Sequence, residues 1–146
     1  MPNVMPKVYT RNPYASAQNS YNAIEVSNSS PIDLVIKLYD GAVNFLSKAV
    51  LEIQEGKKGQ IDYINKTVAI IEELLSALKV EVGGEVALNL RELYVYMLME
   101  LTKANAANDT KAILKIQKLL RTLMDGWIEV REQGITGLSR RVAIKS

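Results

Sequence analysis

Apolar residues recur through most of this 146-residue chain at offsets of three and four, the period of one helix face. Residues 86–104 show it best: Leu90, Leu93, Met97, Leu101 and Ala104 share a face, while Leu88, Val95, Leu98 and Met99 lie on other sides. A helix apolar nearly all round is enclosed on several sides or waits for a partner. The surplus recurs between Ser30 and Glu55. There Val35, Leu38, Tyr39, Ala42, Leu46, Ala49 and Ile53 form a core stripe, and Ile36, Val43 and Val50 repeat at seven as a second seam. From Gln60 to Val82 the predicted core face is Ile61, Ile64, Val68, Ile71, Leu75 and Leu78, widened by Ile70 and Leu74. From Asn108 or Asp109 to Gln133 it is Ile113, Ile116, Leu120, Leu123, Trp127 and Val130, with Leu114, Leu119, Met124 and Ile128 off the stripe.

The boundaries carry their own chemistry. Ser30 reads as an N-cap, Pro31 sits where a missing N–H costs nothing, and Asp33 can return the capping bond and complement the helix dipole. Gly56-Lys57-Lys58-Gly59 and Gly83-Gly84 break the chain, and the third helix ends near Asn105–Asn108. Connections of about two to five residues force neighbouring helices antiparallel. The fold expected is all-α: an up-down-up-down four-helix bundle over 30–133. Gly41, in mid-helix, costs about 1 kcal/mol against Ala; close helix packing explains it, as would close approach of a bound peptide.

Residues 1–29 differ in kind. Pro2, Pro6 and Pro13 forbid a continuous helix, and Asn and Ser are dense up to Ser30. Yet Tyr9, Tyr14, Tyr21, Ile24 and Val26 punctuate the segment. It reads as a flap with room for a short helix, either docked as ordinary packing or covering a site. Residues 134–146, after Gly134 and Gly137, read as a flexible basic tail.

Composition then excludes more than it suggests. Three of the 18 basic residues, Arg140, Arg141 and Lys145, lie in that tail, leaving 15 against 16 acids in the rest. A neutral body gives no electrostatic footprint for nucleic acid. The chain has no Cys and no His, which removes the thiol nucleophile, the commonest general base and the commonest transition-metal ligand. No apolar run nears the ~18 residues of a membrane span, and the first residues lack a signal-peptide core. A cytoplasmic protein without cofactor or metal, neither an enzyme nor inserted in a membrane, is the expectation. Glu72, Glu73, Glu92, Glu100, Glu129 and Glu132 read as outward or helix-end charges, Asp40 as a boundary residue, Tyr94 and Tyr96 as core-edge residues with wet hydroxyls, and Trp127 as a core anchor.

Several motifs, in order, resemble the flagellin-specific secretion chaperones of the FliS family. They are Asn12-Pro13-Tyr14; Ser30-Pro31 and Leu38-Tyr39-Asp40-Gly41-Ala42; Gly84-Glu85, Asn89-Leu90 and Leu93-Tyr94-Val95-Tyr96-Met97; Ala104-Asn105 with Asn108-Asp109; and Asp125-Gly126-Trp127. One departure is Ala17, where many members carry a second Tyr; the next aromatic here is Tyr21. The resemblance implies an antiparallel bundle that binds the C-terminal segment of flagellin as helices, keeps it from polymerising and delivers it to the flagellar type III export gate. It implies partners in flagellin and an export-gate component, with a regulatory assembly factor as a third. It also gives the flap, with Tyr14, Tyr21 and Ile24, a role in covering the groove or meeting the gate.

Helix-in-groove recognition fits the surplus apolar positions. The candidate groove residues are Ile36, Val43, Val50, Leu74, Tyr94, Val95, Leu98, Met99 and Leu119; Tyr39, Asp40, Gly41, Tyr96, Asn105, Asp109 and Trp127 complete the family-like motif set. Met97, Met99 and Met124 would add adaptable surface. The alternative is an oligomeric bundle adaptor whose surplus faces bury one another.

Overall fold

The computed structural model of the chain describes residues 30–133 and Val142. Four helices follow in order: α1 (Pro31–Gln54), α2 (Gln60–Ala77), α3 (Val80–Ala107) and α4 (Thr110–Gln133). The flap, with Tyr14, Tyr21 and Ile24, lies outside the described residues, as does most of the tail.

α1 starts as its sequence dictates. The Ser30 hydroxyl accepts from the Asp33 N–H at 3.2 Å and donates to the Asp33 carboxylate at 2.8 Å, with Pro31 in the first turn. The loop after α1 is held by the Glu52 carboxylate, which accepts from the Gly59 N–H at 3.0 Å; a Cβ at Gly59 would overlap that carboxylate. Between α3 and α4, one dipeptide closes both helices. Asn108 takes the left-handed conformation (φ 52°, ψ 42°) that ends α3, and the Asp109 carboxylate accepts from the Ala112 N–H at 3.1 Å to cap α4.

The second connection differs from expectation. α2 ends at Ala77 rather than near Val82, because Leu78 is extended (φ −70°, ψ 133°). A further helical turn follows before Gly84, whose backbone (φ 62°, ψ −141°) lies where only glycine is comfortable and kinks the start of α3.

The helices form a closed square. α1 packs extensively on α2 and on α4; α3 packs on the same two helices less extensively. The short connections make sequence neighbours antiparallel. Arg131 to Asp33 at 2.8 Å, and Gln117 to the Val43 carbonyl at 2.9 Å and the Ser47 hydroxyl at 2.6 Å, fix the antiparallel register of α1 and α4. The core runs down the centre through Leu38, Leu46, Ile71, Leu93, Met97, Leu101, Ile113 and Leu120. Val142, in a segment expected to be a free tail, is helical and buried with this core.

α2 is rotated from its predicted face. Its buried residues are Gln60, Ile64, Thr67, Ile70, Ile71, Glu73 and Leu74, while Ile61 is exposed and Val68 only half-buried. Thr67 occupies the core because its hydroxyl donates to the Tyr63 carbonyl at 3.0 Å, so it arrives already satisfied. Tyr94 is also fully buried instead of sitting at the core edge: its hydroxyl meets that of Tyr39 across the bundle, the two rings lying 6.5 Å apart. A hydroxyl can be buried cheaply only with such a partner.

Candidate functional site

The rotation of α2 leaves Ile61 exposed and Val68 at the core margin, both bordering the cleft toward α3. Together with Ile64, Asn65, Thr102, Asn105 and Ala106 they line a groove of about 370 Å³ between the two helices. Thr102 also borders a shallower depression formed with Leu98, Met99 and Lys103 on the outer side of α3. Along that outer side, Leu88, Val95 and Met99 retain 41%, 41% and 54% of their surface. Their spacing of seven and four keeps them on one face. The result is an apolar surface that begins between α2 and α3 and continues up α3.

Two polar features mark the groove. The Asn105 side-chain oxygen is buried without a hydrogen-bond partner. At its end, the side-chain amides of Gln60 and Asn108 meet at 3.0 Å, joining the start of α2 to the α3–α4 turn. Thr102 donates its hydroxyl to the Leu98 carbonyl at 2.9 Å, which leaves its methyl as the outward group.

The predicted groove residues separate into two sets. Val95, Leu98 and Met99 lie on the surface just described, Met99 and Val95 exposed and Leu98 half-buried. Val43, Val50, Leu74 and Tyr94 are buried in the core instead. Ile36 and Leu119 are half-buried, and Leu119 packs against the core. Sequence reasoning missed Ile61, Asn65, Val68, Thr102 and Ala106 as groove positions, and read Leu88 as surplus without placing it in the groove. The signal available was Thr67, a polar residue that can back-bond within its own helix and so leaves room for a rotated face.

The family-like motif residues do not converge on one site. Tyr39 and Gly41 are buried on α1, and Asp40 is exposed beside them, accepting from Asn44 at 3.4 Å. Tyr96 is half-buried, with the Lys115 ammonium 5.9 Å from its ring. Asp109 is a cap, and Asn105 alone among these motif residues borders the groove. Trp127 is half-buried against the core, with its indole N–H unpartnered. No group of His, Cys, Asp and Glu suited to a metal occurs among the described residues, and none of their helices is long and apolar enough to cross a membrane.

The chain matches the family described as "Flagellar protein FliS" over residues 14–134. The chain belongs to the FliS family. It is 38% identical over 109 residues to the flagellar secretion chaperone FliS of Salmonella typhimurium, covering 72% of this chain and 79% of that one. The corresponding protein of Campylobacter jejuni is 32% identical over 115 residues, covering 78% and 90% of the two chains, and that of Bacillus subtilis 26% identical over 118 residues, covering 80% and 84%. Chaperone function in flagellar secretion is therefore the family setting in which the groove is read.

Proposed function

We propose that this FliS-family chain is a cytoplasmic export chaperone that takes the C-terminal segment of flagellin as a helix along the α2–α3 groove and the outer face of α3. The observation that carries this reading is the continuous apolar surface from Ile61 and Val68 through Leu98 to Val95, Met99 and Leu88. An amphipathic helix recognised in this mode presents anchors at offsets of three, four and seven, which are the spacings among Leu88, Val95, Leu98 and Met99. Burial of the stripe at roughly 25 cal/mol per Å² would offset the entropy of ordering the bound segment. Held this way, flagellin could neither pair with another copy nor polymerise before delivery to the export gate. The chaperone does this by binding alone, without catalysis. We assign residues 1–29 the task of competing for the same surface in the free protein, and the export-gate component and a regulatory assembly factor the remaining partner roles.

Isothermal titration calorimetry with a peptide of the last ~40–60 residues of the organism's flagellin, a span set by groove length, tests the reading. A one-to-one complex with a negative heat-capacity change and added helicity by circular dichroism supports it. Absence of binding, with light scattering showing that the chain self-associates through the same stripe, would favour the oligomeric bundle instead.

A further inference from the structure

The opposite side of the square, where α1 meets α4, carries a second and chemically different surface. Lys111, Lys118 and Arg121 follow one another at offsets of seven and three on the outer face of α4, and all are exposed; Lys115, between them, turns toward Tyr96 of α3. No acid lies between Thr110 and Met124. Among the described residues, Lys111, Lys118 and Arg121 make no ion pair, whereas Lys66, Lys103 and Arg131 each have a carboxylate. Lys111 also opposes its own helix. The first turn of α4 holds Lys111 and no acid, at the end where the dipole disfavours cations. Helix stability does not ask for this charge.

An apolar anchor sits within the stripe. Leu114 keeps 44% of its surface and Leu51, on α1, 51%. Leu51 is one turn beyond Ser47 and Leu114 one turn before Gln117, and the Gln117 amide donates to the Ser47 hydroxyl. The two leucines therefore flank the same side of the α1–α4 seam. Two exposed leucines beside Lys111, Lys118 and Arg121, none of them in an ion pair among the described residues, have the composition of a docking face rather than of a solvated helix.

We propose that the outer face of α4, with Leu51 and Leu114 as anchors and Lys111, Lys118 and Arg121 as the charged rim, docks an acidic amphipathic segment of a second protein. The charge complementarity selects an acidic partner. A protein segment suits the face better than a membrane or nucleic acid does. The apolar anchor is only two side chains wide, and exposed Asp125, one turn beyond Arg121, would repel a continuous anionic surface. This surface is separate from the α2–α3 groove, so a chaperone with its groove filled could still be held by it.

The test titrates the full chain with a synthetic helical peptide of about 18 residues, long enough to span the stripe, carrying Leu at heptad positions flanked by Glu. Amide shifts are followed by NMR, and the same peptide with Lys for every Glu is the control. Expected are shift changes centred on Leu51, Lys111, Leu114, Lys118 and Arg121, with affinity falling about tenfold as salt is raised past the level where the screening length drops below 10 Å. K118E/R121E should weaken binding at least tenfold and Leu114→Ser severalfold, with unchanged thermal melting and unchanged binding of the flagellin peptide. Equal binding of the Lys peptide, shifts confined to the α2–α3 groove, or a charge-reversal variant that binds as well as the parent would overturn the proposal. Tighter binding to phosphatidylglycerol vesicles or duplex DNA than to the acidic peptide would also overturn it.

Discussion

α1 and α3 carry the same signature in sequence, a core stripe plus a second apolar seam, and the structure uses the two surpluses differently. On α1 the second seam is consumed: Val43 and Val50 are buried, because α1 packs extensively on both flanking helices and reaches α3 across the centre through the Tyr39–Tyr94 contact. On α3 the extra residues Leu88, Val95 and Met99 stay in solvent, because α3 is embraced less on both flanks. Surplus hydrophobicity thus marks either the helix that needs the most neighbours or the helix that is missing one. Only the packing of the other three helices tells which.

The sharpest way to break this comparison is to place the same charge on each seam. Val43→Asp should abolish cooperative folding at 37 °C, because a buried unpaired carboxylate costs several kcal/mol. Val95→Asp should leave the melting curve within about 0.5 kcal/mol of the parent. Thermal denaturation followed by circular dichroism reads both. If Val95→Asp unfolds the protein, α3 is as enclosed as α1 and the distinction fails.

Smaller deletions grade the same contrast. Leu46→Ala, at a fully buried position of α1, should cost about 2–5 kcal/mol in urea unfolding, whereas Met99→Ala should be close to neutral. Between these lies Gly84→Ala at the kink into α3, expected to cost about 1–3 kcal/mol through its backbone conformation alone. The Tyr39–Tyr94 contact should show in a double-mutant cycle: removing both hydroxyls should fall short of the sum of the single effects by about 0.5–2 kcal/mol.

The smallest effect concerns the clamp between the start of α1 and the end of α4. The Arg131 guanidinium hydrogen-bonded to Asp33, and then the Ser30 hydroxyl, hold the Asp33 carboxyl below its ordinary range. A carboxyl with a depressed folded-state pKa stabilises above its unfolded value, near 3.8, and loses that contribution as pH falls through the lower folded value. Asp33→Asn should therefore lower the melting temperature slightly at pH 7 and converge with the parent toward pH 2. Divergence that grows on acidification would contradict the assignment.

Much of this architecture is legible along the chain, because its signals are local. The Ser30 cap, Pro31, the Asn108-Asp109 turn and the stripes of α1, α3 and α4 depend on neighbours within four residues. The site was less legible for the opposite reason. Val95, Leu98 and Met99 could be read as surplus, but Ile61 passed for core because the rotation of α2 depends on Thr67 satisfying itself and on Ile70 and Leu74 facing inward. Tyr94 gave no hint of burial, since its hydroxyl partner lies 55 residues away. Helical periodicity shows that a residue is apolar and which neighbours share its face; it does not show which faces the rest of the chain will cover.

The most direct test of the central claim compares two equally exposed pairs on opposite sides of the square. Calorimetry of the flagellin C-terminal peptide would be run against the parent, V95D/M99E and L51D/L114E. Both variants should remain folded. The account predicts that V95D/M99E weakens binding by more than tenfold, each lost contact being worth about 1.5 kcal/mol or more, while L51D/L114E binds as the parent does. Full affinity in V95D/M99E, or its loss in L51D/L114E alone, would place flagellin on the other face and contradict the role given to α3.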